Sequence, residues 1–252
     1  MTTHRGEFID FALKSQALAF GTFTTKAQRR SPYFFNAGRF DGGASLLSLG
    51  RFYARTLVAA ERERGLAFDM LFGPAYKGIT LAAATAMAFA AMPEEEGGRD
   101  IGFAYNRKEA KAHGEGGTLV GARLAGKVII VDDVLTDGAS KRESVDIIRA
   151  AGAQPVGVVI ALDRMERKDE ADESTGSAVE AFEEEYGIPV FAIANLDDIM
   201  DWLTHDNSGD LAAHVDAVAA YRSRYGSRHS ASDGSMSASS GGVASRMHEA
   251  SA

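Results

Sequence analysis

The apolar positions of this chain change their spacing along its length, and those changes predict its elements. Near the N-terminus Phe8, Phe11 and Leu18 recur at helical spacing, which predicts a helix over Gly6–Phe20 closed by Gly21. Residues 22–48 lose that period and read as an irregular or β-rich segment. A second helix is expected from Ala44 to Arg64, stopped by Gly65. From there short apolar runs alternate with helical stretches. Strands are expected at Asp69–Phe72, Ile101–Tyr105, Val128–Val131, Val156–Leu162 and Pro189–Ala194. Helices are expected at Ile79–Ala91, Ser140–Ala151, Ser177–Tyr186, Leu196–Thr204 and Asp210–Tyr225. Such alternation predicts an α/β fold, a mostly parallel central sheet flanked by helices. Ligands in such sheets sit beyond the carboxyl ends of the strands.

Two segments escape the pattern. Residues 106–119, NRKEAKAHGEGGTL, are polar and glycine-bearing, and long for a connection between strands. Residues 227–252 are rich in Ser, Gly and Ala and hold little to bury, so a disordered tail is expected after a single domain over 1–226.

Composition narrows the picture. The chain has 252 residues, 45% of them apolar, enough for one large core. Its net charge of −8 argues against nucleic acid or an anionic membrane as partner. With no cysteine, disulfides and thiolate chemistry are excluded, which is compatible with a reducing cytoplasm. The first residues carry charges where an export signal needs an apolar core, so none is expected. The longest apolar stretch, Ile79–Met92, falls short of the ~18 residues a membrane span needs.

Candidate chemistry concentrates at Val128–Ser140, VIIVDDVLTDGAS. A buried-type strand ends in Asp132 and Asp133. A loop of small and hydroxyl residues, Thr136-Asp137-Gly138-Ala139-Ser140, then opens a helix. Such a loop offers backbone N–H groups and hydroxyls to a phosphate. Thr or Ser before a helix is equally a plain N-cap. The acid pair decides between the two, because adjacent carboxylates repel unless a ligand or cation relieves them. Acids beside a phosphate cradle suit the hydroxyls of a sugar phosphate.

Two other clusters fit a polyphosphate. Gly73-Pro74-Ala75-Tyr76-Lys77-Gly78 lies between a strand and a helix. It is not a P-loop, since Ile79 stands where the lysine should be, but Lys77 falls at the ligand edge. Arg107, Lys108, Lys111 and His113 crowd one glycine-bearing stretch of an acidic chain, as a closing cationic lid would. There is no HExxH and no G-x-S-x-G elbow. The two acids are suited to Mg²⁺ carried by substrate phosphates.

The Val128–Ser140 stretch resembles the 5-phosphoribosyl 1-pyrophosphate (PRPP) signature of type I phosphoribosyltransferases. Further blocks, in order, resemble one family, the orotate phosphoribosyltransferases. These are Lys26, SPYFFNAG at 31–38, LFGPAYKGI at Leu71–Ile79, NRKEAKAHGEGG at Asn106–Gly117 and ALDRMER at Ala161–Arg167. The resemblance spans roughly 7–225 and implies the type I phosphoribosyltransferase fold, with a small hood subdomain from about 20–45. It implies a pentosyltransferase that makes orotidine 5′-monophosphate and pyrophosphate from orotate and PRPP, with Mg²⁺.

Position by position, the resemblance implies that Lys26, Tyr76 and Lys77 contact PRPP. Arg107, Lys108, Lys111 and His113 would close over pyrophosphate, in the neighbouring subunit's site of a homodimer. Asp132 and Asp133 would hold the ribose, with Lys111 and His113 beside them as catalytic groups. Val134, Leu135, Thr136, Asp137, Gly138, Ala139 and Ser140 would cradle the 5′-phosphate. Phe34 and Phe35 would cover the orotate ring, Thr136 would touch it, and Arg164 would pair with its carboxylate. Asp137 departs from the pattern, since a carboxylate in a phosphate loop must point away. The rival readings are a phosphoribosyltransferase for another base and a PRPP-binding regulator without catalysis.

Overall fold

The computed structural model describes residues 3–25, 28–111, 117–136, 138–167, 176–205 and 211–227. Its centre is a six-stranded sheet built from β3 (Met70–Gly73), β4 (Gly102–Lys111), β5 (Gly117–Gly121), β6 (Lys127–Val134), β7 (Gln154–Asp163) and β8 (Val190–Asn195). The spatial order is β5-β4-β3-β6-β7-β8. All neighbours run parallel except β4 and β5, which form an antiparallel edge. A separate antiparallel pair, β1 (Leu18–Thr24) and β2 (Arg30–Phe35), forms the small hood.

The unbroken apolar runs are buried on both faces, as a parallel sheet requires. Ile129 and Val131 of β6 join Leu71, Val159 and Phe191 on one face. There they pack with α1 (His4–Lys14), α2 (Gly43–Arg64), α3 (Lys77–Ala91), α6 (Leu196–His205) and α7 (Ala212–Tyr225). Val128 and Ile130 point the other way and meet Phe72, Val158 and Ile160. That side is covered by α4 (Ala139–Ala150) and α5 (Ala178–Tyr186).

Three expectations are corrected. The first helix stops at Lys14 rather than Phe20, and Leu18–Thr24 becomes a strand. The reason is tertiary: Leu18–Thr24 pairs with Arg30–Phe35 in a hairpin that a helix would forfeit. The stretch 106–119 is not a long loop either. Strand β4 continues to Lys111 and returns as β5 from Gly117, with an irregularity in the ladder between Asn106 and Lys111. Residues 112–116 lie outside the described residues. Finally, Ser227 is no part of a free tail. It is buried, its N–H donates to the Met165 carbonyl, and its hydroxyl contacts Glu180. Residues 228–252 lie outside the described residues. Among the described residues no helix is long and apolar enough to cross a membrane.

Candidate active site

The carboxyl ends of β3 and β6 meet at one edge of the sheet, and the expected phosphoribose groups gather there. Gly73 and Gly78 are glycines for steric reasons. A Cβ on Gly78 would sit 2.8 Å from the Val131 carbonyl oxygen, and one on Gly73 would strike the Gly78 carbonyl. This contact seats the start of α3 directly on β6 and brings Lys77 over the acids. The buried Asn106 fixes the loop by accepting the Ala75 N–H at 2.9 Å. The Ala75–Tyr76 peptide bond is cis. Tyr76 is exposed, and the Lys108 ammonium stands 5.1 Å from its ring centroid.

Asp132 and Asp133 are both buried, and each has its own cation. Lys77 donates to Asp133 Oδ2 at 2.7 Å. Lys141, on the first turn of α4, donates to Asp132 Oδ2 at 2.5 Å and to the Val134 carbonyl. Asp132 Oδ1 accepts the Asp133 N–H, and Tyr53 on α2 donates to the Asp132 carbonyl at 2.8 Å. Burial pushes the Asp132 carboxyl above the usual range; Lys141 pulls against that and Asp133 adds to it. The relief expected for two adjacent acids is thus supplied by two lysines. Lys141 is absent from the sequence reading. A signal existed, because a cation in the first turn of a helix is disfavoured by the helix dipole and needs a nearby carboxylate.

The following loop runs into α4, whose N-cap, Gly138, has φ 72° and offers no side chain to the helix end. Any residue with a Cβ would be strained there. Thr136 is exposed, Ser140 and Val134 are half-buried, and Ala139 is exposed. Leu135 differs from expectation: its side chain is buried with Val145 and Ile148, so only its backbone faces the loop. Asp137 lies outside the described residues.

The groups expected to face the base come from other elements. Adjacent strand residues point to opposite faces, so β2 separates the two aromatics. Phe34 is 45% exposed and stacks on Phe23, whereas Phe35 is buried against Phe8 and Phe40. Of the two expected aromatics, Phe34 is the one whose ring is exposed, and Phe35 belongs to the core. Arg164 follows β7, lies 4.7 Å from the Tyr33 ring centroid, and is already bonded to Glu166 through Nε at 2.8 Å. Glu166 also accepts from Tyr221, and Arg29 approaches it at 3.7 Å. Glu166, another residue the sequence reading missed, holds the guanidinium in place.

The remaining cationic residues lie on the β4–β5 hairpin. Arg107 Nη1 is buried without a hydrogen-bond partner among the described residues, an orphaned donor that suits an anion. Lys108 is exposed. Lys111 ends β4, while Lys26 and His113 lie outside the described residues.

The phosphoribosyl transferase domain family matches residues 51–191, from within α2 to the first residues of β8. The orotate phosphoribosyltransferase of Cupriavidus necator is 60% identical over 220 residues, covering 87% of this chain and 93% of that protein. The enzyme of the same name from Chromobacterium violaceum is 58% identical over 226 residues, covering 90% and 99%. The crystal structure of the Francisella tularensis orotate phosphoribosyltransferase superposes with a TM-score of 0.73 at 37% identity, covering 88% of this chain and 100% of that one. The acid pair and the glycine-led start of α4 thus lie inside the matched domain, and relatives matched over most of their length share one name. The chain belongs to the orotate phosphoribosyltransferase family.

Proposed function

We infer that the chain transfers the phosphoribosyl group of PRPP to orotate, giving orotidine 5′-monophosphate and pyrophosphate. One observation carries the reading: two buried acids at the end of β6, each matched to a lysine, stand beside the glycine-led start of α4. The 5′-phosphate would take the backbone donors of the loop from Leu135 to Ser140 and the Thr136 and Ser140 hydroxyls. Asp132 and Asp133 would accept the ribose hydroxyls. Orotate would lie under Phe34 with its carboxylate on Arg164, end-on, since Glu166 holds the Nε side.

In the reaction the bond from the ribose C1 to pyrophosphate breaks, and orotate N1 bonds to C1 as it gives up its proton. The ribosyl centre becomes cationic along the way, and the acids lie on its side of the site. Negative charge grows on pyrophosphate, where Lys77, Lys26, Arg107, Lys108 and Lys111 would stabilise it, with Tyr76 alongside. His113 would donate a hydrogen bond to the leaving group. Closure of the β4–β5 hairpin would exclude water from the cationic centre.

Among the described residues no three His, Asp or Glu side chains gather to hold a metal, and both acids carry lysines. That donor set suits Mg²⁺ arriving on the oxygens of PRPP and keeping most of its waters. Asp133, whose lysine is exposed, is the acid that would face it through water. When bound, the ion would neutralise charge on the pyrophosphate.

A PRPP-dependent loss of orotate absorbance tests the reading. Turnover of another base in preference to orotate, or PRPP binding without turnover, would replace it. We also place the cationic hairpin in the site of a second copy, in a homodimer of the cytoplasm. Lys111→Ala and Asp133→Asn homodimers should each be nearly inactive. Mixed with subunit exchange, they should regain about a quarter of the sites by random pairing. No recovery after verified exchange would assign the hairpin to its own subunit.

A further inference from the structure

The two strand-end lysines are built differently. Lys77 reaches Asp133 from the start of α3 with 54% of its side chain exposed, against 7% for the side chain of Lys141. Lys141 makes two short contacts, one to Asp132 Oδ2 and one to the Val134 carbonyl. The second contact reaches the last residue of β6, where the phosphate loop begins. Lys141 therefore ties helix, acid and loop start into one unit. With the Asp133 N–H on Oδ1 and the Tyr53 hydroxyl on the main-chain carbonyl, Asp132 is fixed from several sides. Among the described residues the Asp133 carboxylate has one side-chain partner, the exposed Lys77.

This asymmetry matters when substrate arrives. On the reading above, pyrophosphate competes with Asp133 for Lys77. If Lys77 were the one counter-charge of the acid pair, its departure would leave two buried carboxylates side by side, which is strongly opposed. We propose that Lys141 is a positioning residue for phosphoribosyl transfer: it is the permanent counter-charge of Asp132, which frees Lys77 to exchange Asp133 for pyrophosphate. Lys141 touches neither substrate. It acts through the direction of the Asp132 carboxylate and through the release of Lys77.

The proposal rests on the assignment of the acids and Lys77 to PRPP, and the test separates the two. Lys141→Met keeps the length of the side chain and removes its charge. Its kcat/KM for PRPP should fall by about tenfold or more, with the orotate KM within about twofold of the parent. Lys141→Arg should recover most of the loss, because the charge is restored. If Lys141→Met is folded and keeps the parental kcat and PRPP KM, the proposal is overturned. Equal losses for both substrates would also overturn it, since they would mark a general structural role. Asp133→Asn tests the underlying assignment alone: an unchanged kcat/KM for PRPP there would overturn that reading whatever Lys141 does.

Labelling of the unaltered protein with acetic anhydride, read by mass spectrometry, keeps the proposal testable if Lys141→Met does not fold. Lys141 should stay unlabelled with and without PRPP, while Lys77 is labelled in the free protein and protected by PRPP. Labelling of Lys141 as fast as Lys77 would show that it is no fixed counter-charge, and the proposal would fall.

Discussion

The half of this site proposed to take phosphoribose and the half proposed to take the base hold their charged groups by different means. In the first, Asp132 and Asp133 sit at the end of a central strand with neighbours on both sides, and Lys77 and Lys141 arrive on the helices that follow β3 and β6. Every group there is placed by the sheet. In the second, Phe34 comes from the two-stranded hood, and Arg164 from a short segment after β7. That segment is braced by Glu166, by Tyr221 of α7 and by Ser227, whose N–H reaches Met165. The first half inherits its precision from strand pairing; the second depends on side-chain contacts between parts of the chain distant in sequence. Damage to one half should therefore leave the other readable.

The largest effect is expected at the acids. Asp133→Asn removes the charged acceptor proposed to face ribose and the partner of Lys77. It should cost about 3 kcal/mol or more in transition-state stabilisation, seen as at least ~100-fold in kcat/KM for PRPP. Orotate affinity by calorimetry should change little; a matching loss for orotate would mean the halves are not separable.

The hood aromatics come next, because they divide stability from binding. Phe35→Ala empties a buried position and should cost about 3–5 kcal/mol of stability by denaturant unfolding. Phe34→Ala should cost about 1 kcal/mol or less, because it loses mainly its stacking on Phe23, yet raise the orotate KM. The opposite ranking would reverse the roles assigned to the two faces of β2.

Arg164→Ala should weaken orotate binding by about 2–3 kcal/mol and PRPP binding far less. Equal losses in calorimetry would show that the base half also shapes the PRPP site.

A last effect, on stability alone, concerns Asp163, the last residue of β7, whose carboxyl burial raises from 3.8 to about 6. The folded state thus binds a proton that the unfolded state has released between roughly pH 4 and pH 6. Stability should be greatest below that window and fall as pH rises through it. Asp163→Asn should flatten this slope and raise stability at neutral pH by an amount on the order of 2 kcal/mol. An unchanged slope in denaturant unfolding from pH 4 to pH 7 would remove Asp163 as its cause.

The sequence by itself determined most of the sheet. Runs such as Val128–Val131 are apolar and β-branched without alternation, so they can only be buried on both faces. Helix ends at Gly65 and Gly152 were legible because the chain turns there with positive φ, 66° and 78°. The acid pair, the phosphate loop and Lys77 were legible because all lie within a few residues of a strand end. Tertiary structure decided the rest. Leu18–Thr24 is a strand only because Arg30–Phe35 lies beside it, and β4 extends only because β5 returns along it. Phe34 and Phe35 are the same residue type, and the pairing of β1 with β2 alone chooses which is buried. Lys141 and Glu166 find their partners through the packing of α4 on β6 and of α7 on the segment after β7. Periodicity encodes what each residue does along its own element, whereas a buried ion pair depends on distances between elements, which periodicity does not specify.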